Sequence, residues 1–525
     1  SKKGYVHLLP GATIDSFQES ESGRKADLPF TIQLDSFRIA YYPGTEAPAD
    51  YISYITYSLP GQKNVLLHEQ ISMNRIFTSQ GFRFYQSSFD DDGKGSWLTV
   101  NYDPWGTGVT YAGYILLGLS MIWLLFSRSS DFRRLLNHPL LKKGGVFILF
   151  IFCLAGNMQA QKKLLPALKQ TQADSLAQEQ VIYHDRVVPF NTLARDFIQK
   201  LTGEASYKGL TPEQVIGGWL LYPEVWRNEP LIYIKNTELQ HLLNLQTPYA
   251  RLTDLFDGSV YRLREHWQRE QGQQNKLAKA IQETDEKVGL ILMLEKGTFI
   301  HPLPTDGSVQ PLSELEVKAE LLYNRIPFSK ILFMINLSLG VLSFLLLLHN
   351  SLQRNILSPK AKTISRTAGT FFSVALYLAF IFHLAGYCLR WYIGGRIPLS
   401  NGYETMQFMA LCILLIACLL HRRFSFILPF GFLLSGFALL VSYLGQMNPQ
   451  ITPLMPVLVS PWLSIHVSLI MMSYALLAFI MLNGILALCL RKKESENNVS
   501  GNDAIQDNRI EQLTLVSRLL LYPAT

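Results

Sequence analysis

Apolar runs of about bilayer length recur along this chain and are separated by polar stretches. A helix needs about 20 mainly apolar residues to cross the hydrocarbon core, so the pattern predicts about seven membrane-spanning helices. The runs cover residues 109–126, 145–160, 328–348, 368–389, 404–420, 424–445 and 462–490. The expected fold class is therefore a polytopic α-helical membrane protein with soluble domains between some of its spans.

Two polar regions are long enough to form soluble domains. In residues 1–108, the segment 31–35 alternates polar and apolar residues, and 51–59, 81–89 and 96–102 are rich in aromatic and β-branched residues. This pattern predicts a β-rich domain. The region 161–327 has mainly helical periodicity, with a few short strand-like runs, and predicts a mixed, mainly helical domain with a core of its own.

The distribution of basic residues predicts the orientation of the spans. The net charge is +7, and basic clusters follow the first, third, fifth and seventh runs. The positive-inside rule makes their side the cytoplasm, so 1–108, 161–327, 391–403 and 446–461 are expected outside. The chain then divides into a β-rich extracytoplasmic domain (1–108), two membrane helices (109–160), an α-rich extracytoplasmic domain (161–327), one membrane helix (328–348), a four-span domain (349–490) and a cytoplasmic segment that leads toward a missing span (491–525).

The second run, 145–160, has two interpretations. It is short, and Lys142 and Lys143 before an apolar stretch resemble a signal peptide, whose cleavage would make 161–525 a separate polypeptide. Its position in the middle of the chain favours an uncleaved span. Because the sequence begins with Ser1 and stops just after an amphipathic stretch at 509–521, we expect it to be a piece of a longer protein.

An aromatic and charged segment, 390–404, lies between the fourth and fifth runs. Its rings and cations could hold a flat apolar ligand that carries acidic groups. The residues concerned are Trp391, Tyr392, Arg396, Asn401, Tyr403 and Glu404. One alternative is an interfacial belt of aromatic residues. Another, for Asn401 and Glu404, is capping of the helix that follows.

Two histidines lie in the outer halves of predicted spans. His466 is near the start of the last run and shares a helix face with Trp462, four residues earlier, while His383 is in the fourth run. Ionisable side chains inside a bilayer are costly and usually functional, and a neutral imidazole can ligate haem iron. The alternative for each is a packing histidine that bonds to a neighbouring helix, and we expect this more for His383.

Several functional classes are not indicated by the sequence. The five cysteines form no CxxC pair, so a disulfide framework, a zinc site or a covalently attached haem within the chain is not expected. The sequence has no Walker motif, dinucleotide-binding glycine pattern or serine nucleophile elbow. Basic and acidic residues are interspersed in the soluble regions, which argues against nucleic acid as a partner.

The motifs in the last third of the chain resemble a known family. Residues 383–404 and 453–474, with the core Ser460-Pro461-Trp462 and His466-Val467, resemble the CcsA (ResC) family of cytochrome c maturation proteins. The segments 4–10 and 102–106 are similar to the ResB (CcsB) partner. Both parts on one chain imply a fused CcsBA-type protein, truncated at both ends.

The resemblance implies function in the bacterial inner membrane. Such proteins carry haem b outward and attach its vinyl groups to the CxxCH thiols of apocytochrome c, so haem, apocytochrome c and membrane lipid are the expected partners. His466 matches the outer histidine that precedes the family's tryptophan-rich loop, which implies an axial haem ligand, with Trp462, His383 and the residues of the 390–404 segment as further haem contacts.

Some of the family's parts are absent from this sequence. The tryptophan-rich loop, the second outer histidine and the membrane histidines of the family have no counterpart here, so the chain as given is expected to lack complete holocytochrome c synthase activity. Two other functions remain open: a haem-binding or export subunit without synthase activity, and an unrelated polytopic transporter.

Overall fold

The computed structural model describes residues 2–42, 47–58, 66–127, 130–136, 165–258, 260–264, 266, 275–305, 307, 309–352, 359–444, 447, 449–496 and 503–524. These residues form two compact units. The first holds the described residues of 1–41, 47–152 and 327–525, and the second those of 42–46 and 153–326.

The first unit begins with an eight-stranded antiparallel sheet of order β5-β4-β3-β2-β1-β8-β7-β6. The prediction of an N-terminal β-rich domain is confirmed. The strands are β1 Lys2–Leu8, β2 Thr13–Glu19, β3 Lys25–Tyr41, β4 Pro48–Ser58, β5 Leu66–Ile71, β6 Phe77–Ser79, β7 Phe82–Phe89 and β8 Ser96–Tyr102.

Alternation along the strands builds the core of this sheet. In β3 every second residue from Leu28 to Leu34 is buried, as a period of two requires when one face of a sheet is covered. The sheet curls on itself, since Ser53 of β4 donates a hydrogen bond to Gln86 of β7 at 2.7 Å and pairs with Ser96 of β8 at the same distance. β-Bulges, one of them between Leu34 and Ser36, provide the bend.

The sheet leads directly into the first membrane helix. β8 ends at Tyr102, and α1 spans Pro104–Phe126. Pro104 occupies the first helical turn, where a missing amide proton costs little, and Asp103 accepts a hydrogen bond from the Gly106 amide at 3.0 Å. This short junction keeps the sheet close to the N-terminal end of α1.

Six helices among the described residues are long and apolar enough to cross a membrane: Pro104–Phe126, Phe328–His349, Thr367–Gly394, Gly402–Leu420, Ile427–Leu444 and Pro461–Leu488. Each coincides with a predicted run. The remaining predicted run, 145–160, lies outside the described residues. Both interpretations of this run, an uncleaved span and a cleaved signal peptide, therefore stay predictions. The full helices are α1, α2 Asp131–Leu136, α10 Phe328–Leu352, α11 Pro359–Gly394, α12 Gly402–Leu420, α13 Ile427–Leu444, α14 Pro461–Glu496 and α15 Asp503–Ala524.

The helices of this part share one apolar core, to which α10, α11, α12, α13, α14 and α15 contribute. α10 and α13 approach closely at Gly340 and Gly436, where small residues let two helix backbones come together. α15 packs back along α14, burying Leu513 and Val516, and Ser473 donates a hydrogen bond to the Ala524 carbonyl. The predicted segment 491–525 thus adds a helix to the bundle.

The second unit combines short helices with small strand pairs. Its elements are α3 Gln170–Leu176, β9 Gln180–Tyr183, β10 Arg186–Pro189, α4 Phe190–Thr202, α5 Pro212–Leu221, α6 Pro223–Trp226, β11 Ile232–Tyr233, α7 Thr237–Leu242, β12 Tyr249–Ala250, β13 Phe256–Asp257, β14 Val260–Tyr261, α8 Lys276–Glu295, β15 His301–Pro302 and α9 Glu314–Arg325. Trp219, Trp226 and Phe197 lie in one buried cluster, so the unit has its own core.

Candidate functional site

The candidate residues lie at the end of the bundle where α11 stops, α12 starts and α14 starts. The sequence predicted a loop from residue 390, but α11 continues to Gly394, so Trp391 and Tyr392 belong to its last turn. Gly395, with φ of +63°, ends the helix in the left-handed conformation that glycine adopts at little cost. The connecting loop is therefore shorter than predicted and runs from 395 to 401.

A buried carboxylate organises this loop. Glu404 is 1% exposed and receives a hydrogen bond from Arg390 Nε at 2.9 Å on one oxygen, with Arg390 Nη2 at 2.8 Å from the same atom. Its other oxygen accepts from Arg396 Nη1 at 3.1 Å and from the Ser400 amide and hydroxyl at 2.8 and 2.6 Å. A buried carboxylate with this many donors remains charged and holds both guanidinium groups in place.

The two arginines also hold a second segment of the chain. Arg390 donates from Nη1 to the Pro449 carbonyl at 2.7 Å and from Nη2 to the Gln450 carbonyl at 3.0 Å. Arg396 donates from Nη2 to the Thr452 carbonyl at 2.8 Å. The loop between α11 and α12 is thereby joined to the segment between α13 and α14.

Asn401 and Tyr403 also make contacts inside the protein. The Asn401 side chain accepts a hydrogen bond from the Glu404 amide at 2.9 Å, which is the N-cap of α12. The Tyr403 hydroxyl lies 2.6 Å from the Ser329 hydroxyl, and its ring faces the Arg390 guanidinium at 5.1 Å. The capping alternative is thus realised for Asn401, while contact of these residues with haem stays a prediction.

His466 differs from these residues because its ring is uncommitted. It is exposed in the second turn of α14, and among the described residues its ring has no hydrogen-bond or ion-pair partner. Trp462, one turn earlier on the same face, is 79% exposed, and Trp391 and Tyr392 are 47% and 51% exposed. This end of the bundle therefore presents one free imidazole and several aromatic faces.

His383 has the opposite environment. It is 2% exposed in α11, and its Nε2 lies 3.0 Å from the Gln407 carbonyl oxygen. A carbonyl only accepts, so Nε2 carries the proton, and Nδ1 is buried without a partner among the described residues. A neutral imidazole bonded to the next helix corresponds to the packing role that we expected for this residue.

The sequence analysis did not single out Arg390 or the carbonyls of 449–452. A signal was present, because Arg390 and Glu404 are opposite charges at the facing ends of two consecutive runs. Such a pair at the edge of a bilayer predicts an ion pair. The carbonyl partners have no side-chain signature and could not be read from the sequence.

Two family models match separate parts of the chain. The ResB-like family matches residues 2–110, which hold the sheet and the start of α1. The Cytochrome C assembly protein family matches residues 399–521, from the loop before α12 into α15. His466 and Glu404 both lie in this second match.

Similar proteins agree with these matches. The chain is 31% identical over 526 residues to Protein NrfI of Wolinella succinogenes, an alignment that covers 85% of this chain and 57% of that protein. It is 34% identical over 132 residues to Cytochrome c biogenesis protein CcsA of Chlamydomonas reinhardtii, with 22% of this chain and 37% of the relative covered. A CcsA of Prochlorococcus marinus is 38% identical over 94 residues, or 17% of this chain and 30% of its own length.

The chain spans just over half the length of NrfI and a third or so of these CcsA proteins. Its ResB-like part and its cytochrome c assembly part are nevertheless both present, in the order sheet, membrane helices, candidate site. The chain thus combines a part that matches the ResB-like family with a part that matches the Cytochrome C assembly protein family, and this second part is similar to CcsA proteins of cytochrome c biogenesis.

Proposed function

We propose that this protein binds haem b at the exposed end of α11, α12 and α14, with His466 as an axial ligand of the iron. In the whole protein this site would present haem for covalent attachment to the CxxCH thiols of apocytochrome c. The observation that carries the proposal is the free, exposed imidazole of His466 beside Trp462.

The surroundings of His466 suit a haem. The exposed imidazole of His466 has no protein partner among the described residues, and haem iron takes a neutral ring nitrogen as a ligand. Trp462, and on α11 Trp391 and Tyr392, offer aromatic faces for the macrocycle. Arg396, whose side chain is 17% exposed, remains our candidate to bind the haem propionates. Glu404 and Tyr403 would contribute by holding this loop in place.

The proposed reaction depends on positioning of the apocytochrome thiol beside the haem vinyl group and needs no nucleophile from this protein. A cysteine S–H of the apocytochrome adds across a vinyl C=C of haem, forming a C–S bond while the proton goes to the other vinyl carbon. Holding thiol and vinyl carbon together supplies much of the rate of such a step. A chain that offers a ligand and a platform, in place of an acid–base pair, is suited to this reaction.

The proposed site is on the outer side of the bacterial inner membrane. The basic clusters put 391–403, 446–461 and both soluble regions outside and the residues just after Leu490 in the cytoplasm. One contact supports the placement of the sheet on the same side as His466. Asn74 of the sheet donates a hydrogen bond to the Pro456 carbonyl, so the sheet meets the bundle at the end that carries His466.

The test compares His466→Ala, His383→Ala and the exposed control His301→Ala in the whole protein. His466→Ala should lower bound haem and abolish maturation of a co-expressed apocytochrome, and added imidazole should restore part of the haem spectrum. His383→Ala should do less, and His301→Ala should change neither. Normal haem content and spectrum in His466→Ala would refute the ligand assignment.

The same experiment separates synthesis from delivery. If the protein binds haem through His466 but no thioether product forms with an added CxxCH apocytochrome, the function is haem binding or export, and attachment belongs to another subunit.

A further inference from the structure

We propose that the segment 449–460, here called the outer strap, couples the ResB-like sheet to the helix that carries His466. In this proposal Asn74, Arg390, Arg396 and Glu404 are positioning residues for the haem ligand. The inference rests on the proposed role of His466 and adds to it a function for the ResB-like part, namely to set the position of the ligand.

The first half of the strap is held by buried charges. Its carbonyls at 449, 450 and 452 accept hydrogen bonds from Arg390 and Arg396, whose own positions are set by Glu404. Three charge-assisted bonds to one short stretch of backbone leave it little freedom. Because the side chains of Arg390 and Glu404 are 2% and 1% exposed, water cannot readily replace these bonds.

The second half of the strap is held by the sheet. Asn74 Nδ2 donates to the Pro456 carbonyl oxygen at 2.7 Å. Asn74 sits in a tight turn closed by two hydrogen bonds between Ser72 and Arg75, of 2.9 and 3.2 Å, so the donor is fixed to the sheet. A shift of this turn would move the strap.

The strap is stiff between Pro456 and α14. Val459 donates to the Pro456 carbonyl at 3.2 Å and Ser460 to the Leu458 carbonyl at 2.9 Å, which makes one short turn. The next residue, Pro461, starts α14, and its ring restricts the backbone. His466 is only ten positions after Pro456, and ligand sites need placement within about 0.5 Å. A displacement at Pro456 would therefore reach the imidazole.

The test uses two variants of the whole protein, Asn74→Ala and Glu404→Gln, with a matched control for each. Asn228→Ala removes another asparagine that donates to a backbone carbonyl, and Glu320→Gln alters another buried Glu–Arg pair, both within the second unit. Backbone hydrogen exchange of 447–466 is measured without haem. Haem affinity, the reduced absorption spectrum and the midpoint potential are then measured with haem.

Both variants should exchange faster across 453–466 than the wild type, while the controls should not. Asn74→Ala should weaken haem binding by up to about fivefold, the equivalent of one net hydrogen bond, and Glu404→Gln by more. Both should shift the haem spectrum and potential, since the native ligand remains in the protein but is displaced from its position.

The outcomes distinguish this proposal from the one on which it rests. Haem binding that survives His466→Ala refutes the ligand, whatever the strap does. Unchanged exchange and spectrum in Asn74→Ala refute the coupling to the sheet even if Glu404→Gln is impaired. Asn74 lies on an exposed turn, so this variant remains informative if Glu404→Gln fails to fold.

Discussion

At the residue scale, the polar side chains near the bundle end that carries His466 differ in whether they bond to other residues of the protein. Glu404, Arg390 and His383 are buried and bonded to neighbouring helices or loops, whereas His466 is exposed and uncommitted. Residue type does not separate the two histidines, since both are single imidazoles in apolar runs. Burial and partners do, because His383 is bonded to the next helix while the exposed ring of His466 is left accessible, as our proposal of a haem ligand requires.

A partly buried ion pair in the second unit gives a pH prediction. Arg227 donates to Glu295 from Nε at 2.9 Å and from Nη2 at 3.0 Å, and these bonds hold the pKa of the Glu295 carboxyl below its ordinary 4.5. A lowered folded-state pKa stabilises the fold above the unfolded-state pKa, and this stabilisation is lost as the pH falls through the folded value.

We therefore expect the second unit to lose stability below about pH 4.5 in the wild type and to lose less in Glu295→Gln. Hydrogen exchange of residues 212–233 against pH measures this. Glu314→Gln is the control, because Glu314 pairs with Lys318 at the surface, where ion pairs contribute little. Equal acid sensitivity of Glu295→Gln and the wild type would contradict the prediction.

At the element scale, the positions of the helices followed the hydrophobic pattern, while their ends and contacts did not. α11 extends beyond its predicted run because Trp391 and Tyr392 continue the helix until Gly395 ends it. The close approach of α10 and α13 depends on two glycines, Gly340 and Gly436. In the sequence they cannot be told from Gly484, a helical glycine where an added Cβ would meet nothing within 4 Å. Only the neighbouring helix makes them different.

Gly436→Ala should destabilise the bundle by about 1–3 kcal/mol, because a Cβ there would lie 2.8 Å from Leu337 Cγ and 2.9 Å from its backbone nitrogen. Thermal unfolding in detergent, followed by circular dichroism, measures the change. Gly484→Ala is the control, since a Cβ at Gly484 meets nothing within 4 Å. Equal melting temperatures for the two variants would mean that α10 and α13 are less closely packed than described.

At the scale of the whole molecule, a sheet and a helical bundle form one unit, and 165–326 belongs to a second. Both matched families fall mainly in the first unit, with the ResB-like match on the sheet and the assembly match on the later helices. The outer strap is where the sheet and these helices meet. The basic clusters in the sequence predict that both soluble regions share one side of the membrane with His466.

Cysteine labelling tests this topology in a variant without native cysteines. An impermeant thiol reagent applied to intact cells or spheroplasts should label Ser22→Cys in the turn between β2 and β3 and Ser206→Cys in the second unit, both at exposed positions. It should label Ser495→Cys, after the last span, only once the membrane is permeabilised. Labelling of Ser495→Cys in sealed cells would overturn the proposed orientation.

The sequence by itself determined the number and position of the described membrane helices and the strand character of the N-terminal region. Both follow from local periodicity, because a span must be apolar over bilayer length and a half-buried strand must alternate. The resemblance carried by 4–10, 102–106, 383–404 and 453–474 also pointed to the two families that match and singled out His466. Each of these features is contained in contiguous stretches of the chain, so it can be recognised from the sequence.

Tertiary structure alone decided which polar residues are available to a ligand. Asn401 looked like a member of a binding loop, yet the fold uses its side chain to cap α12, and Arg396 is held by the Thr452 carbonyl, 56 positions later. The contact between Asn74 and Pro456 spans 382 positions and involves a carbonyl that every residue possesses. Partners of this kind have no sequence signature, because long-range packing, and not local pattern, brings them within hydrogen-bond distance.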